Sequence, residues 1–352
     1  MFWAKVFVNH RRRKMTSPYT VLVTGSSGHL GTALMLSLSS LGHNPLGIDI
    51  IPSQTTTVVG NITDRPLISS ILRENASVTH IVHAATLHKP HVDSHPAQAF
   101  IDTNITGTLT LLEEAAALDQ RIKSFVFIST TSTFGKALAP APGQPAAWID
   151  ETVTPIPKNI YGITKCAAED LCSLVHAQSA LPVLVLRTSR FFPEQDDDVA
   201  RRSAMSDANL KVCELAHRRV DISDVVSAVH CAMLRAAELR FGKYIISAPP
   251  PPFAMRTAED ALACMNRDAG SVFRETLPGC AAAFEKLGWT FLARLDRVYD
   301  SSRAVRELGW RPEWTFERAV ASMERGEDWR SELTHRVGRK GYHDVPTGVY
   351  TK

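Results

Sequence analysis

The sequence of 352 residues lacks the features that define several classes of protein. It contains no apolar run of about 18 residues, so no transmembrane helix is predicted. Its six cysteines form no C-x-x-C pair, and reduced thiols in an intracellular compartment are the simplest interpretation. The net charge of +3 is small and no long basic stripe accompanies it, so we expect neither a nucleic acid nor a membrane as partner.

Acidic residues are absent before Asp49. The first 18 residues instead carry several basic side chains, among them Arg11, Arg12 and Arg13. A basic start without acids is typical of mitochondrial presequences, but the Ser-rich amphipathic pattern of such segments is missing. We interpret residues 1–18 as a disordered extension and expect a cytoplasmic protein, with mitochondrial targeting as the alternative.

Short apolar runs alternate with longer helical patterns along most of the chain. The runs lie at 20–24, 45–49, 80–84, 125–129, 182–187 and 243–247. Strands that alternate with helices of about ten residues or more form parallel βαβ units. The sequence therefore predicts an α/β protein, with a Rossmann-type doubly wound parallel sheet and helices on both faces.

The alternation breaks after Arg187, and a proline run at 249–252 marks a second boundary. These breaks divide the chain into two predicted parts and a tail. The larger domain, which contains the predicted sheet, is placed at 19–190 and 218–248, a smaller C-terminal substrate-binding lobe at 191–217 and 249–330, and a loose tail at 331–352.

A glycine-rich loop lies between the first strand and the first helix. It reads T-G-S-S-G-H-L-G from Thr24 to Gly31, which is G-x-x-G-x-x-G in the position where a dinucleotide's pyrophosphate binds. Glycine allows the tight turn and the close approach of backbone N–H groups, and the helix start favours an anion. The residues expected to contact the cofactor are Gly25, Ser27, Gly28, His29, Leu30 and Gly31.

Asp49 ends the second strand at the distance from the loop expected of an acid that binds the adenosine ribose. No arginine follows it to receive a 2′-phosphate, and the carboxylate would repel one. The sequence therefore favours NAD over NADP.

A Y-x-x-x-K motif begins a helical pattern at Tyr161 and Lys165. Residues four apart share one helix face, so the ammonium can lie beside the phenol and favour its ionised form. Tyr161 would then act as the base that takes the proton of an alcohol. The hydroxyl-rich run from Ser129 to Thr133 ends the preceding strand and can hold the substrate oxygen beside it.

Together these motifs resemble the extended short-chain dehydrogenases, specifically the NAD-dependent epimerase/dehydratase family that includes nucleotide-sugar 4-epimerases. The resemblance runs from Val21 to about Val320. It implies that Thr130 is the catalytic hydroxyl beside Tyr161 and Lys165, and that NAD is the cofactor. It adds further cofactor contacts at Asn61, Ile62, Ala84, Ala85, Asn104 and Ser129, and it extends the cofactor contacts to Tyr161 and Lys165.

The substrate half departs from the family pattern. Arg190 stands where the epimerases have an asparagine, and Arg218 and Arg219 lie beside the usual place of a phosphate-binding arginine. The predicted substrate-binding residues are His88, Thr131, Ser132, Arg190, Arg218 and Arg219.

Three functions remain open. A nucleotide-sugar epimerase similar to UDP-glucose 4-epimerase fits the resemblance best. The alternatives are an NAD(P)-dependent dehydrogenase or reductase of a different alcohol or ketone, and a non-catalytic regulator that binds the cofactor.

No metal is expected, because His88, His91 and His95 lie in a predicted loop without a cysteine partner. The resemblance implies a homodimer through the two long helices predicted at 97–118 and 161–177.

Overall fold

The computed structural model describes residues 20–141, 143–191, 203–251 and 257–338. The predicted extension at 1–18 and the end of the predicted tail lie outside these ranges. In chain order the strands are β1 (Val21–Thr24), β2 (Pro45–Asp49), β3 (Val58–Val59), β4 (His80–His83), β5 (Ser124–Thr130), β6 (Ala147–Ile149), β7 (Val183–Thr188), β8 (Arg190–Phe191), β9 (Arg219–Val220), β10 (Phe241–Ile246) and β11 (Arg297–Tyr299).

Seven of these strands form one parallel sheet in the order β10-β7-β5-β4-β1-β2-β3. All the predicted apolar runs are strands of this sheet, which confirms the Rossmann-type fold. The sequence does not predict β3, which has only two residues, nor the small pairs β6–β11 and β8–β9. The strand order reverses beside β1, and a crevice opens at such a point in open α/β sheets.

The helices lie between these strands and after the last of them. They are α1 (His29–Ser37), α2 (Arg65–Glu74), α3 (Ala97–Phe100), α4 (Gly107–Ala116), α5 (Ile160–Ser179), α6 (Asp207–Leu215), α7 (Ile222–Leu239), α8 (Ala258–Thr276), α9 (Pro278–Leu287), α10 (Ser302–Leu308), α11 (Phe316–Glu324) and α12 (Glu332–Val337). A π-helix, Ile101–Thr106, joins α3 to α4. Within the described ranges, none of the helices has the length and apolar character needed to cross a bilayer.

The two faces of the sheet bury different side chains, because successive residues of a strand point in opposite directions. In β1, Val21 and Val23 pack in one apolar cluster with α1, α7, α10 and α12. Leu22 faces the other cluster, formed with α2, α4 and α5. This period of two explains why the strands read as continuous apolar runs.

A third apolar cluster lies outside the sheet and joins α6, α8, α9 and α11. Aromatic rings fill its centre, where Phe284 stacks on Phe291 with centroids 4.2 Å apart. These helices fall within the predicted substrate-binding lobe, whose boundaries stay a prediction.

Residues 331–338, the described part of the predicted loose tail, pack against the rest of the protein. Ser331 and Thr334 are buried, and both donate hydrogen bonds to the carboxylate of Asp221. Val337 packs in the same cluster as α7, as does Trp310 from the predicted lobe. The segment is polar in composition and yet packs, because a buried carboxylate accepts hydrogen bonds from its hydroxyl groups.

Candidate active site

A cavity of about 1000 Å³ lies along the carboxyl ends of the parallel strands. Five of the strands each bring a predicted or neighbouring residue to its wall: Gly25 after β1, Asp49 in β2, Ala84 after β4, Thr130 in β5 and Ser189 after β7. The sheet topology therefore gathers residues that are far apart in the sequence.

The glycine loop, residues 25–31, forms one wall. Gly25 has a φ of +71°, and a Cβ there would lie 2.7 Å from the backbone N of Ala85. A Cβ on Gly31 would lie 1.9 Å from the carbonyl oxygen of Gly25. Gly28 caps α1 without a side chain, which leaves the helix start open to an anion. The loop thus fits a dinucleotide pyrophosphate.

The remaining loop residues also line the cavity, namely Ser27, His29 and Leu30. The ring of His29 is buried and packs against Phe191 with centroids 5.1 Å apart. His29 therefore links the glycine loop to β8, the strand that contains Phe191.

Asp49 is held against the glycine loop. Its carboxylate accepts hydrogen bonds from the backbone N–H groups of Ser27, at 3.0 Å, and Ile51, at 2.9 Å. A carboxylate has about four acceptor positions, so these two bonds leave room for the hydroxyls of a ribose. Ile50 and Ile51 extend this wall with apolar side chains.

Four residues placed by the resemblance line the cavity: Asn61, Ile62, Ala84 and Ala85. The side-chain oxygen of Asn61 accepts a hydrogen bond from the backbone N of Thr63 at 3.0 Å. Ile62 is almost fully buried.

His83 supports this wall from inside the sheet. Thr108 donates its hydroxyl hydrogen to the carbonyl of Asn104, at 2.7 Å, so it must accept from Nε2 of His83, at 2.9 Å. Nδ1 of His83 then accepts from Thr24 at 2.8 Å, and the Thr24 hydroxyl accepts from the N–H of Ala85. Burial and the charge of Lys165 hold the pKa of His83 well below its usual value, so the ring stays neutral.

Asn104 does not reach the cavity, contrary to the prediction that it contacts the cofactor. It is 1% exposed, and its amide oxygen accepts from the backbone N of Leu87 and the hydroxyl of Thr86. Its amide nitrogen donates to the carbonyl of Leu87 and to Thr164 in α5. Since all four positions are used inside the protein, Asn104 fixes the loop after β4 to α5.

Thr130 and Tyr161 lie next to each other in the cavity wall. The hydroxyl of Thr130 accepts from the backbone N of Ser132, at 3.1 Å, and hydrogen-bonds the phenol of Tyr161. Burial raises the pKa of Tyr161 to about 12, and the hydrogen bond from Thr130 opposes this rise. The neighbouring Thr131 and Ser132 line the same wall, as predicted.

Lys165 lies one helical turn after Tyr161 but does not line the cavity. It is 2% exposed, and its ammonium donates to the carbonyl of Ile128 at 2.7 Å and lies 3.9 Å from the ring centroid of Phe127. Burial lowers the pKa of Lys165 to about 7. In the described part of the chain, no hydrogen bond joins the ammonium of Lys165 to the phenol, and its contact with the cofactor stays a prediction.

A buried ion pair that the sequence analysis missed stands behind Ser129. Glu169 accepts three hydrogen bonds from two nitrogens of Arg187 and one from the hydroxyl of Ser129, at 2.6 Å. Lys243 lies 3.1 Å from the same carboxylate. Although burial alone would raise it, the bonds and charge of Arg187 hold the pKa of Glu169 below its usual value. The signal was the position of Glu169, four residues after Lys165 on the same helix face.

An arginine cluster, defined as Arg190, Arg218, Arg219 and Arg297, lines a further part of the cavity wall, the arginine end. Arg190 in β8 pairs with Arg219 in β9, so the two side chains start from neighbouring backbone positions. The fully buried carboxylate of Glu214 accepts from both Arg218 and Arg219. Arg297 pairs with Asp296.

The predicted substrate residue His88 lines the cavity beside Tyr161, with ring centroids 6.5 Å apart. The ring centroids of His88 and His91 lie 4.7 Å apart, and those of His91 and His95 lie 5.0 Å apart. The backbone N of His88 donates to Nδ1 of His91, so this nitrogen carries no hydrogen. Across the described ranges, no group of three such side chains is arranged to hold a metal ion.

Other cavity residues escaped the sequence analysis, and the wall also includes Lys89, Lys158, Ser189, Glu214, Arg297 and Tyr299. Of these, Glu214 had a signal in the sequence, because it stands four residues before Arg218 on a helical pattern.

Comparison with known proteins gives one family and several relatives. The profile of the NAD dependent epimerase/dehydratase family matches residues 21–246. UDP-glucose 4-epimerase from Rhizobium leguminosarum is 31% identical over 175 residues, which is 48% of this chain and 50% of that protein. The chain thus spans about half the length of this first relative. dTDP-glucose 4,6-dehydratase from Xanthomonas campestris is 26% identical over 92% of this chain and 96% of its own.

Solved structures share the fold. A short-chain dehydrogenase/reductase superfamily protein from Agrobacterium tumefaciens with bound NAD has a TM-score of 0.59, with 20% identity over 87% of this chain and 96% of its own. UDP-glucuronic acid 4-epimerase from Bacillus cereus, in complex with UDP-glucuronic acid and NAD, has a TM-score of 0.57, with 18% identity over 91% of this chain and 100% of its own.

Proposed function

Because the chain belongs to the NAD-dependent epimerase/dehydratase family, we propose that it is a nucleotide-sugar epimerase similar in activity to UDP-glucose 4-epimerases. The observation that carries this proposal is the arginine cluster, which shares one cavity with Thr130 and Tyr161. A relative and a structural neighbour, both named as epimerases of UDP-sugars, support it.

The charge of the arginine cluster suits a diphosphate. Three of its guanidinium groups pair with two carboxylates: Arg218 and Arg219 bind Glu214, and Arg297 binds Asp296. A diphosphate that joins a nucleoside to a sugar carries two negative charges, and arginine binds phosphate oxygens in pairs. This end of the cavity therefore suits the diphosphate of a nucleotide sugar better than an uncharged alcohol.

The reacting end suits proton transfer at a secondary alcohol. The glycine loop and Asp49 would hold NAD, which would supply the hydride acceptor for the reaction. The hydroxyl of Thr130 holds the substrate oxygen, and Tyr161 takes the alcohol proton and later gives it back. With its pKa raised to about 12, Tyr161 acts as a base only where a positive charge lies near the phenol.

The carboxylates of the cavity favour epimerisation over dehydration. Dehydration of a sugar requires a group that removes a proton from carbon and delivers it to the departing hydroxyl. In the described residues, the acids that line the cavity are Asp49, which binds the glycine loop, and Glu214, which binds two arginines. Neither stands beside Tyr161 as such an acid would.

The test is to denature the purified protein, identify the released nucleotide by mass spectrometry, and assay interconversion of UDP-glucose and UDP-galactose. We expect nearly stoichiometric NAD and a measurable rate, because a redox-neutral cycle regenerates its cofactor. An empty protein that reduces a ketone with added NADH or NADPH would support the dehydrogenase alternative instead. Failure to bind either cofactor would contradict the whole proposal.

Tyr161→Phe identifies the base in the same assay. We expect a loss of about 10²- to 10⁴-fold in kcat, the usual contribution of acid–base catalysis. Tyr244→Phe is the matched control, because the phenol of Tyr244 binds Glu307 and does not line the cavity. Full activity of Tyr161→Phe would show that Tyr161 is not the base, whereas no activity in the unaltered protein would favour the non-catalytic regulator.

We also propose a homodimer through α5 and the helical segment predicted at 97–118. Ile163 and Leu174 on α5 are 51% and 50% exposed, and their spacing of 11 residues places them on one face. Exposed apolar side chains on one helix face favour a protein contact. Sedimentation should give a dimer at micromolar concentration and a monomer for Leu174→Glu; a monomeric unaltered protein would overturn this part.

A further inference from the structure

The hydroxyl of Ser189 is buried without a partner at the wall of the cavity. Ser189 follows the last residue of β7 and is 2% exposed. Its Oγ makes no hydrogen bond within the described part of the chain, although the residue lines the cavity. Folded proteins rarely leave buried hydroxyls unsatisfied, and those that remain point to a missing ligand or water.

The backbone fixes Ser189 between the two ends of the cavity. The preceding Thr188 lies in register opposite Thr130, the hydroxyl at the reacting end. The following Arg190 belongs to the arginine cluster and pairs with Arg219. The N–H of Ser189 itself donates to the carbonyl of Ile246 at 2.9 Å, which ties it to β10.

We propose that Ser189 binds a hydroxyl of the substrate's sugar ring, an inference that rests on the proposed function. A molecule with its reacting carbon at Tyr161 and its diphosphate at the arginine cluster must carry the sugar past Ser189. A serine hydroxyl both donates and accepts, as a sugar hydroxyl does. Oγ turns among three staggered positions about one bond, and no hydrogen bond within the described residues holds it in the present one.

The experiment measures binding by calorimetry, using the full chain with its cofactor and two probes, UDP-glucose and UDP. Ser189→Ala should lower the affinity for UDP-glucose about three- to tenfold, which is the effect of one neutral hydrogen bond. The affinity for UDP should not change. Ser301→Ala is the matched control. Its hydroxyl is also buried and without a partner in the described part of the chain, but it does not line the cavity. We expect no change with either probe.

Several results would overturn the contact. Equal weakening of UDP and UDP-glucose by Ser189→Ala would place the hydroxyl against the nucleotide or its phosphates, and no change with either would remove the contact altogether. A lower melting temperature of the ligand-free variant would give the hydroxyl a structural role, since the structure predicts no lost bond. If the unaltered protein binds neither probe, the proposed function fails with it, whereas the other outcomes overturn the contact alone.

Discussion

The glycine end and the arginine end of the cavity are built from different parts of the chain. At the glycine end, backbone groups of one continuous loop, residues 25–31, face the cavity, and glycine is required because a Cβ would strike the backbone. At the arginine end, side chains from segments as distant as Arg190 and Arg297 line one wall, where Arg218 and Arg219 pair with the buried carboxylate of Glu214. The first depends on the absence of side chains, and the second on arginines held by a buried carboxylate.

This difference predicts different failures. A change in the glycine loop removes binding by steric collision and leaves the rest of the sheet folded. A change in a buried partner of the arginine cluster lowers the stability of the protein, because an unpaired buried charge is costly.

The largest effect on ligand binding is expected for Gly31→Ala. Its Cβ would lie 1.9 Å from the carbonyl oxygen of Gly25, so the loop must move away from the position that suits a pyrophosphate. We expect retained NAD to fall below detection after gel filtration, a loss of about 100-fold or more in affinity, or about 2.7 kcal/mol or more. Gly279→Ala is the control, since a Cβ there meets no atom within 4 Å. Retention of NAD by Gly31→Ala would show that the loop is not the cofactor site.

At the arginine end, Glu214→Gln removes the charge that holds Arg218 and Arg219. Breaking a buried ion pair on one side destabilises a protein by about 3–5 kcal/mol, and urea unfolding should report a loss of this size. The control is Glu238→Gln, whose pair with Arg235 is solvent-exposed and is worth at most about 1 kcal/mol. Equal stability of the two variants would contradict the claim that buried charge builds this end.

A smaller effect concerns the pH dependence of stability and depends on Asp224. This residue lies in the first turn of α7 and binds the chain at residues 313 and 314. Its carboxylate accepts from the backbone N–H groups of Glu313 and Trp314, while burial raises its pKa to about 7. A folded pKa above the unfolded one means that the folded state binds the extra proton between about pH 4 and 7. The contribution of Asp224 to stability is therefore present below pH 4 and is lost as the pH rises to 7.

The size of this loss follows from the shift, at roughly 1.4 kcal/mol per pKa unit, and is at most about 4 kcal/mol. Urea unfolding between pH 4 and 7 should show that Asp224→Asn flattens this part of the pH profile relative to the unaltered protein. An identical slope in both proteins would mean that Asp224 titrates normally.

The sequence predicts the glycine end well because its information is local. The strand before the loop, the glycine spacing and Asp49 lie within 30 residues, and each has a physical reason that can be stated without the fold. The parallel sheet follows from the same kind of signal, since apolar runs bounded by helical patterns report burial on both faces.

The arginine end could be predicted only in part. Arg190, Arg218 and Arg219 stand out as departures from a family pattern, but Arg297 comes from a distant segment. The same limit explains Asn104, which a family pattern placed at the cofactor and which instead saturates its amide inside the protein. Spacing gives the helix face of Lys165 but not the carbonyl of Ile128 that binds its ammonium.

The smallest effect tests selectivity at the glycine end. Asp49 disfavours a 2′-phosphate by its charge, and Asp49→Asn keeps an oxygen that can accept from the N–H groups of Ser27 or Ile51. The affinity for NADPH relative to NADH should therefore rise by about tenfold, or about 1.4 kcal/mol, in fluorescence titrations at low salt, with the free energy of unfolding little changed. A ratio that does not move would mean that backbone and shape, rather than charge, select the cofactor. The contrast between the two ends would then be complete, because charge would decide binding only at the arginines.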